Sequence, residues 1–329
     1  VLIGAFVVVF YTLTGGFMAV CWTDFIQGIM MFFAIVIVPA FAMYVMGGVE
    51  TSLNAIDIVN PTFFNPFMNP DGSTISFIAF ISLMGWGLGY FGQPHILVRF
   101  MAISSTSELK RSKRIAVGWY SISMIAAVFV GMVGNVYLTE PLNGPDVEKV
   151  LLIMTEKLFD PFVGGLILSA VLAAIMSTAS SQLLVAASAF SQDFYRSVIR
   201  QDASHTELVW VSRAAVLIIS AMAISLAMNP NSFILEMVAY AWAGFAATFG
   251  PAVLMSLFWR RTTRNGVQAG IVVGGVTVLV WKQLALFGLY EIIPGFFFGL
   301  LAIYIVSLLD KEPSKEITDL FDAVERSNI

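Results

Sequence analysis

The stretch "FIAFISLMGWGLGYFGQPHILVRFMA", residues 77–102, opens like a segment fit to cross a membrane and then breaks its own pattern. Between residues 85 and 94 it carries Gly85, Gly87, Gly89, Gly92 and Pro94, interleaved with Trp86, Tyr90 and Phe91. A glycine costs about 1 kcal/mol in a helix interior and a proline about 3. A kinked helix packing through small residues is the simpler reading, but this density of breakers favours an unwound segment. Unwound backbone is tolerated at membrane depth only where it is buried in protein or lines a water-filled cavity. Trp86 and Tyr90 are four apart and share a face if the helix survives between them. That face offers a small ligand an apolar wall and a phenol hydroxyl.

The rest of the chain agrees with a lipid solvent. Of its 329 residues 58% are apolar and only 12% charged, with a mean hydropathy of +0.87. Soluble domains carry about 25% charged residues, so this excess cannot fold into one water-soluble core. The formal charge of −4 says little, because the charges sit in connecting loops, and no nucleic-acid partner is expected. Cys21 is the only cysteine, which excludes disulfide frameworks and cysteine metal sites. His95 and His205 are the only histidines, too few for a haem pair or a zinc cluster. The opening "VLIGAFVVVF" has no basic stretch before its apolar run and reads as a span entered mid-chain, not as a signal peptide. The expectation is a C-terminal portion of a longer protein.

A helix needs about 20 mainly apolar residues to cross the hydrocarbon layer. Nine candidate spans follow, near 1–20, 25–48, 73–98, 116–138, 160–190, 209–228, 232–258, 266–285 and 290–309. Residues 1–309 then form one transmembrane domain, and 310–329 a charged tail with a short solvated helix. The loops after spans three, five and seven, the adjoining span ends and the tail hold 14 of the 17 Lys and Arg. By the positive-inside rule these loops and the C-terminus are cytoplasmic.

Residues 173–182, "AAIMSTASSQ", place Ser177, Thr178, Ser180 and Ser181 within five positions of span five. At 100° per residue they fit one arc of roughly 160°. Hydroxyls can simply bond back to carbonyls of their own helix, yet four on one face exceed what packing requires. Hydroxyl and carbonyl oxygens without a carboxylate suit a hard monovalent cation, whereas Ca²⁺ would ask for Asp or Glu. A Na⁺-type site is therefore expected on span five, completed by ligands from elsewhere. Asp24 has two readings: an ion-path carboxylate, or an N-cap for span two together with Thr23.

Three other classes fit less well. A channel wants rings of like residues around a continuous pore, and a membrane enzyme wants a nucleophile–base pair or a metal cluster. A non-transporting sensor of the same fold usually appends a soluble signalling domain.

Several stretches carry a resemblance. "YTLTGGFMAVCWTDFIQ" (11–27), "GWGLGYFGQPHILVRFMA" (85–102), "LSAVLAAIMSTASSQLLV" (168–185), "YAWAGFAATFGP" (240–251) and "TRNG…WKQ…GLYEIIPGF" (263–296) resemble the sodium/solute symporter family, most of all its proline-carrying branch. The resemblance implies an all-α, multi-span transporter of the inverted-repeat LeuT-type fold, here N-terminally truncated to about nine of thirteen spans. It implies Na⁺ as coupling ion and L-proline as solute, or else another small amino acid or carboxylate, moved across the cell's inner (plasma) membrane. Carried over residue by residue, Ala174 supplies a carbonyl and Ser177 and Thr178 supply hydroxyls to sodium. Asp24, Ser180 and Ser181 match a second sodium site of some relatives. Trp86, Tyr90 and Pro94 match positions tied to the substrate.

Overall fold

The computed structural model describes residues 2–227 and 234–326. The expected start of span one, the end of span six, the start of span seven and the last three tail residues lie outside the described residues. Twelve α-helices are described: α1 (Leu2–Val45), α2 (Val49–Val59), α3 (Phe77–Gly85), α4 (Pro94–Met101), α5 (Thr106–Tyr137), α6 (Val150–Leu158), α7 (Pro161–Ser188), α8 (His205–Ala227), α9 (Ile234–Phe258), α10 (Arg264–Leu284), α11 (Ile292–Leu309) and α12 (Lys315–Arg326). Among the described residues seven of these (α1, α5, α7, α8, α9, α10 and α11) are long and apolar enough to cross a membrane. The protein is a multi-span integral membrane protein.

Spans four to nine each correspond to one helix. Span three is broken as its glycines required: α3 stops at Gly85, residues Trp86–Phe91 form a 3₁₀ stretch, and α4 restarts at Pro94. Spans one and two are joined in α1, whose 44 residues would run about 66 Å if straight. It is interrupted at Gly16, with φ 59° and ψ −159°, a conformation that glycine adopts without the Cβ penalty. The expected gap at residues 20–25 is therefore absent. Thr23 and Asp24 lie about two turns inside the second segment of α1, and Thr23 Oγ1 donates to the Ala19 and Val20 carbonyls, both at 3.0 Å. The N-cap reading of Asp24 is overturned.

The chain divides into two compact units, Val1–Pro66 with Arg114–Asn231, and Phe67–Lys113 with Ser232–Ile329. In the first, α1 packs along α7, and Val38, Ala42, Ile56, Val133 and Met154 form a fully buried core. Asp160 caps α7 by accepting from the amides of Phe162 and Val163 (3.0 and 3.3 Å), with Pro161 in the first turn, where its missing N–H costs nothing. Beyond Ser188 the helix loosens into π-helical turns over Ala189–Ile199.

In the second unit α9, α10 and α11 meet through small residues. A Cβ on Gly274 would overlap the Ala247 carbonyl oxygen, and one on Gly270 would overlap Ile303. Such close approach is the usual way membrane helices gain packing energy where no hydrophobic effect drives them together. The tail helix α12 is tied back by Arg260, whose Nε and Nη2 donate to the two carboxylate oxygens of Asp322 at 2.7 and 3.0 Å. That fork holds the Asp322 carboxyl below its ordinary range, the hydrogen bond from Arg260 being the main cause. A lowered pKa in the folded state contributes stability above the ordinary carboxylate pKa and loses it as pH falls through the lowered value. The protection of amides 315–326, taken relative to the intrinsic exchange rate at each pH, should thus be high at neutral pH and fall as the pH drops below about 4. Asp322→Asn should give the same loss of protection at neutral pH; unchanged protection in both experiments would show that the fork does not hold α12.

Candidate functional site

Each unit gathers one group of the expected site residues. In the first, the hydroxyl run of α7 faces α1. Ser177 Oγ and Thr178 Oγ1 both donate to the Ala174 carbonyl, at 3.0 and 3.3 Å, so the three oxygens expected to ligate sodium converge on one patch of α7. These bonds are the back-bonding stated above as the simpler reading, and they leave the sodium reading open. A hydroxyl that donates its proton to a carbonyl keeps its lone pairs for a cation. Ser177 is half-buried and Thr178 exposed, while Ser180 and Ser181 are buried.

Deeper on the same helix, Ser181 Oγ donates to Asp24 Oδ2 at 3.0 Å, and Ser180 Oγ donates to the Ser177 carbonyl at 3.0 Å. Asp24, Ser180 and Ser181, 157 residues apart in sequence at the extremes, are thereby brought together. Two side chains that sequence reasoning passed over join them. The Tyr11 phenol donates to the Met176 carbonyl at 3.0 Å, touches the side chains of Ser180 and Gln27, and lies in the field of Asp24. Gln27 Oε1 is buried with no hydrogen-bond partner among the described residues. A signal was available: Gln27 follows Asp24 by three residues, one turn along the same helix face. A carboxylate, a carboxamide oxygen, a phenol and two serines thus lie near one another around Asp24 and Tyr11, the oxygen chemistry that a small hard cation takes.

In the second unit the broken span presents its aromatic residues to α9. Trp86 stacks on Trp242 with ring centroids 5.4 Å apart and planes at 14°, and Tyr90 meets the same indole edge-on at 5.0 Å. The Trp242 indole N–H donates to the Trp86 carbonyl at 3.0 Å, tying α9 to the first residue of the 3₁₀ stretch. Gln93, 3% exposed, donates from Nε2 to the Trp242 carbonyl at 3.3 Å. The glycines fit this packing: a Cβ on Gly89 would overlap the Trp242 indole, and one on Gly92 would overlap the Phe245 carbonyl oxygen. Trp86 and Tyr90 do share one aromatic surface, through Trp242 and not through an intact helix. Pro94 starts α4 at its first turn and sets the direction of the chain after the break. Trp242 was missed, although it stands alone as a bulky group between Ala241 and Ala243 in "YAWAGFAATFGP".

Residues 1–274 match a family model described as "Sodium:solute symporter family". The "High-affinity proline transporter PutP" of Bacillus subtilis (strain 168) is 48% identical over 318 residues, which are 96% of this chain and 66% of that protein. The "Osmoregulated proline transporter OpuE" of the same organism is 47% identical, over 97% of this chain and 65% of its own length. The "Sodium/proline symporter" of Escherichia coli (strain K12) is 46% identical, over 97% and 63%. The chain thus spans just under two thirds of the length of these relatives. Among solved structures, a Na⁺-coupled sialic acid symporter in a substrate-bound, outward-open state matches with a TM-score of 0.74 and 20% identity, over 94% of this chain and 66% of that one. This likeness shows the fold, the inverted-repeat architecture of LeuT-type transporters.

Proposed function

Because the chain belongs to the sodium:solute symporter family, we propose that it forms the larger part of a sodium-coupled secondary transporter that imports L-proline by alternating access. Sodium is held by the Ala174 carbonyl and the Ser177 and Thr178 hydroxyls. A second sodium, where one binds, takes Asp24, Ser180 and Ser181. Trp86, Tyr90 and the turn at Pro94 form part of the wall against which the solute ring packs. Residues 1–309 lie in the plasma membrane as one transporter domain. The basic loops and the tail 310–329 face the cytoplasm, as the distribution of Lys and Arg favours.

The observation that carries this reading is the convergence of neutral oxygens on one patch of α7, with the Asp24 carboxylate one turn further along. Proline is favoured by the three relatives named above, whose names all specify it. The energetics suffice. One Na⁺ moving down about 100 mV releases about 2.3 kcal/mol, and a tenfold sodium gradient adds about 1.4 kcal/mol. Together they support accumulation of several hundredfold, so one ion is enough.

The test is radiolabelled uptake into vesicles across a panel of amino acids and small carboxylates, with and without a sodium gradient. Proline should be accumulated only with the gradient. Preference for another small amino acid or carboxylate would replace the solute and keep the coupling; gradient-independent uptake would remove the coupling itself. Asp24→Asn keeps the shape of the Ser181 contact and removes the charge. It should raise the sodium concentration for half-maximal uptake roughly tenfold, the scale of one charge-assisted bond. Sodium dependence like that of the parent would leave Asp24 a structural role only.

A further inference from the structure

A cavity of about 350 Å³ opens in the first unit where α1 breaks. Fifteen residues line it, contributed by α1 around Gly15 and Gly16, the end of α7 with the π-helical turns, and the start of α8, and none of them is acidic. Its polar groups include Arg213, His205, Ser188, Ser212 and Thr12. Among the described residues no carboxylate pairs with Arg213, whose guanidinium lies over the Trp210 ring at 5.0 Å. Thr12 is 3% exposed, and its hydroxyl is buried with no hydrogen-bond partner among the described residues. A buried hydroxyl without a partner is costly, so a molecule that accepts from it there gains affinity. The second segment of α1 begins at the rim, and the start of a helix carries a partial positive charge that favours anions.

We propose that this cavity binds a phosphate-bearing anion, with Arg213 as the charged anchor and Thr12, Ser188 and Ser212 as hydroxyl donors. Guanidinium forks match phosphate oxygens bidentately, and basic pockets between membrane helices take up anionic headgroups. The volume equals roughly twelve waters at about 30 Å³ each, enough for a phosphate with its first substituent. Trp210, Leu217 and Ile218 of α8, each more than half exposed, offer a path for an acyl chain beside it. The two sources of such an anion are a phospholipid headgroup and free phosphate. The site is separate from Ala174, Ser177 and Thr178, so it stands or falls apart from the transport reading.

The experiment uses the native protein purified in mild detergent after extraction from bilayers of one part phosphatidylglycerol to three parts phosphatidylcholine. Lipid retained through delipidation is counted by native mass spectrometry. About one phosphatidylglycerol should remain per protein, and Arg213→Gln should reduce that fraction at least tenfold. Ser212→Leu, which fills the cavity and keeps Arg213, should do the same, so that loss of binding is separated from misfolding of one variant. Arg196→Gln, outside the cavity, should retain the lipid. Displacement of the lipid by 10 mM inorganic phosphate would assign the site to the free anion, and resistance to it would assign the site to lipid. Equal retention of phosphatidylcholine, or full retention in both cavity variants, would overturn the proposal.

Discussion

Replacing Ser177 and Thr178 together by alanine is expected to raise the sodium concentration needed for half-maximal uptake by roughly 100-fold or more. Each interaction with a charged group contributes about 1.5–3 kcal/mol. Loss of two removes at least about 3 kcal/mol, and every 1.4 kcal/mol is tenfold. The effect should fall on sodium alone at first. Both hydrogen bonds that the hydroxyls lose lie within α7, so folding should survive. The measurement is sodium-dependent uptake in vesicles, set beside protein abundance in the membrane. An unchanged sodium dependence at normal abundance would remove the site; Ser177→Thr should restore most of the affinity, because it keeps the oxygen.

Gly89→Ala is the second large effect. Its new methyl would occupy the space of the Trp242 indole, which is held by the bond to the Trp86 carbonyl and by stacking on Trp86. Overpacking of this kind usually costs about 1–3 kcal/mol. Here the strain falls on the residues proposed to form the solute wall, so the proline concentration for half-maximal uptake should rise at least tenfold. Trp242→Leu makes room for the methyl but removes the surface on which Trp86 and Tyr90 rest. The double variant should therefore recover abundance before it recovers proline affinity, a non-additivity that a double-mutant cycle resolves. Wild-type proline dependence in Gly89→Ala would show that Trp242 moves freely and does not shape the wall.

Much of the fold was legible because membrane spans and their interruptions are written in composition. The break in span three followed from four glycines and a proline, which no continuous helix absorbs cheaply. The joining of spans one and two was harder to see. The sequence "TGGF" signals a break, but a single residue at φ 59° turns the chain within an otherwise continuous helix, and periodicity cannot distinguish that from a loop. For this reason the N-cap assignment of Asp24 failed. The hydroxyl face of α7 was readable from spacing alone. Tyr11 was not, since its bond to the Met176 carbonyl crosses the α1–α7 contact, and Gln27 was signalled only by its place one turn after Asp24. Trp242 escaped for a similar reason: its role depends on the missing Cβ of Gly89, and sequence gives no sign of that pairing.

The glycine seam among α9, α10 and α11 carries a mechanical consequence. Where backbones touch without side chains between them, there is no cushion to deform, and the three helices behave as one stiff plate. The backbone of Trp242 belongs to that plate through α9, so it shifts only together with all three helices. Glycine is commonly read as a hinge; in this seam it works as a weld.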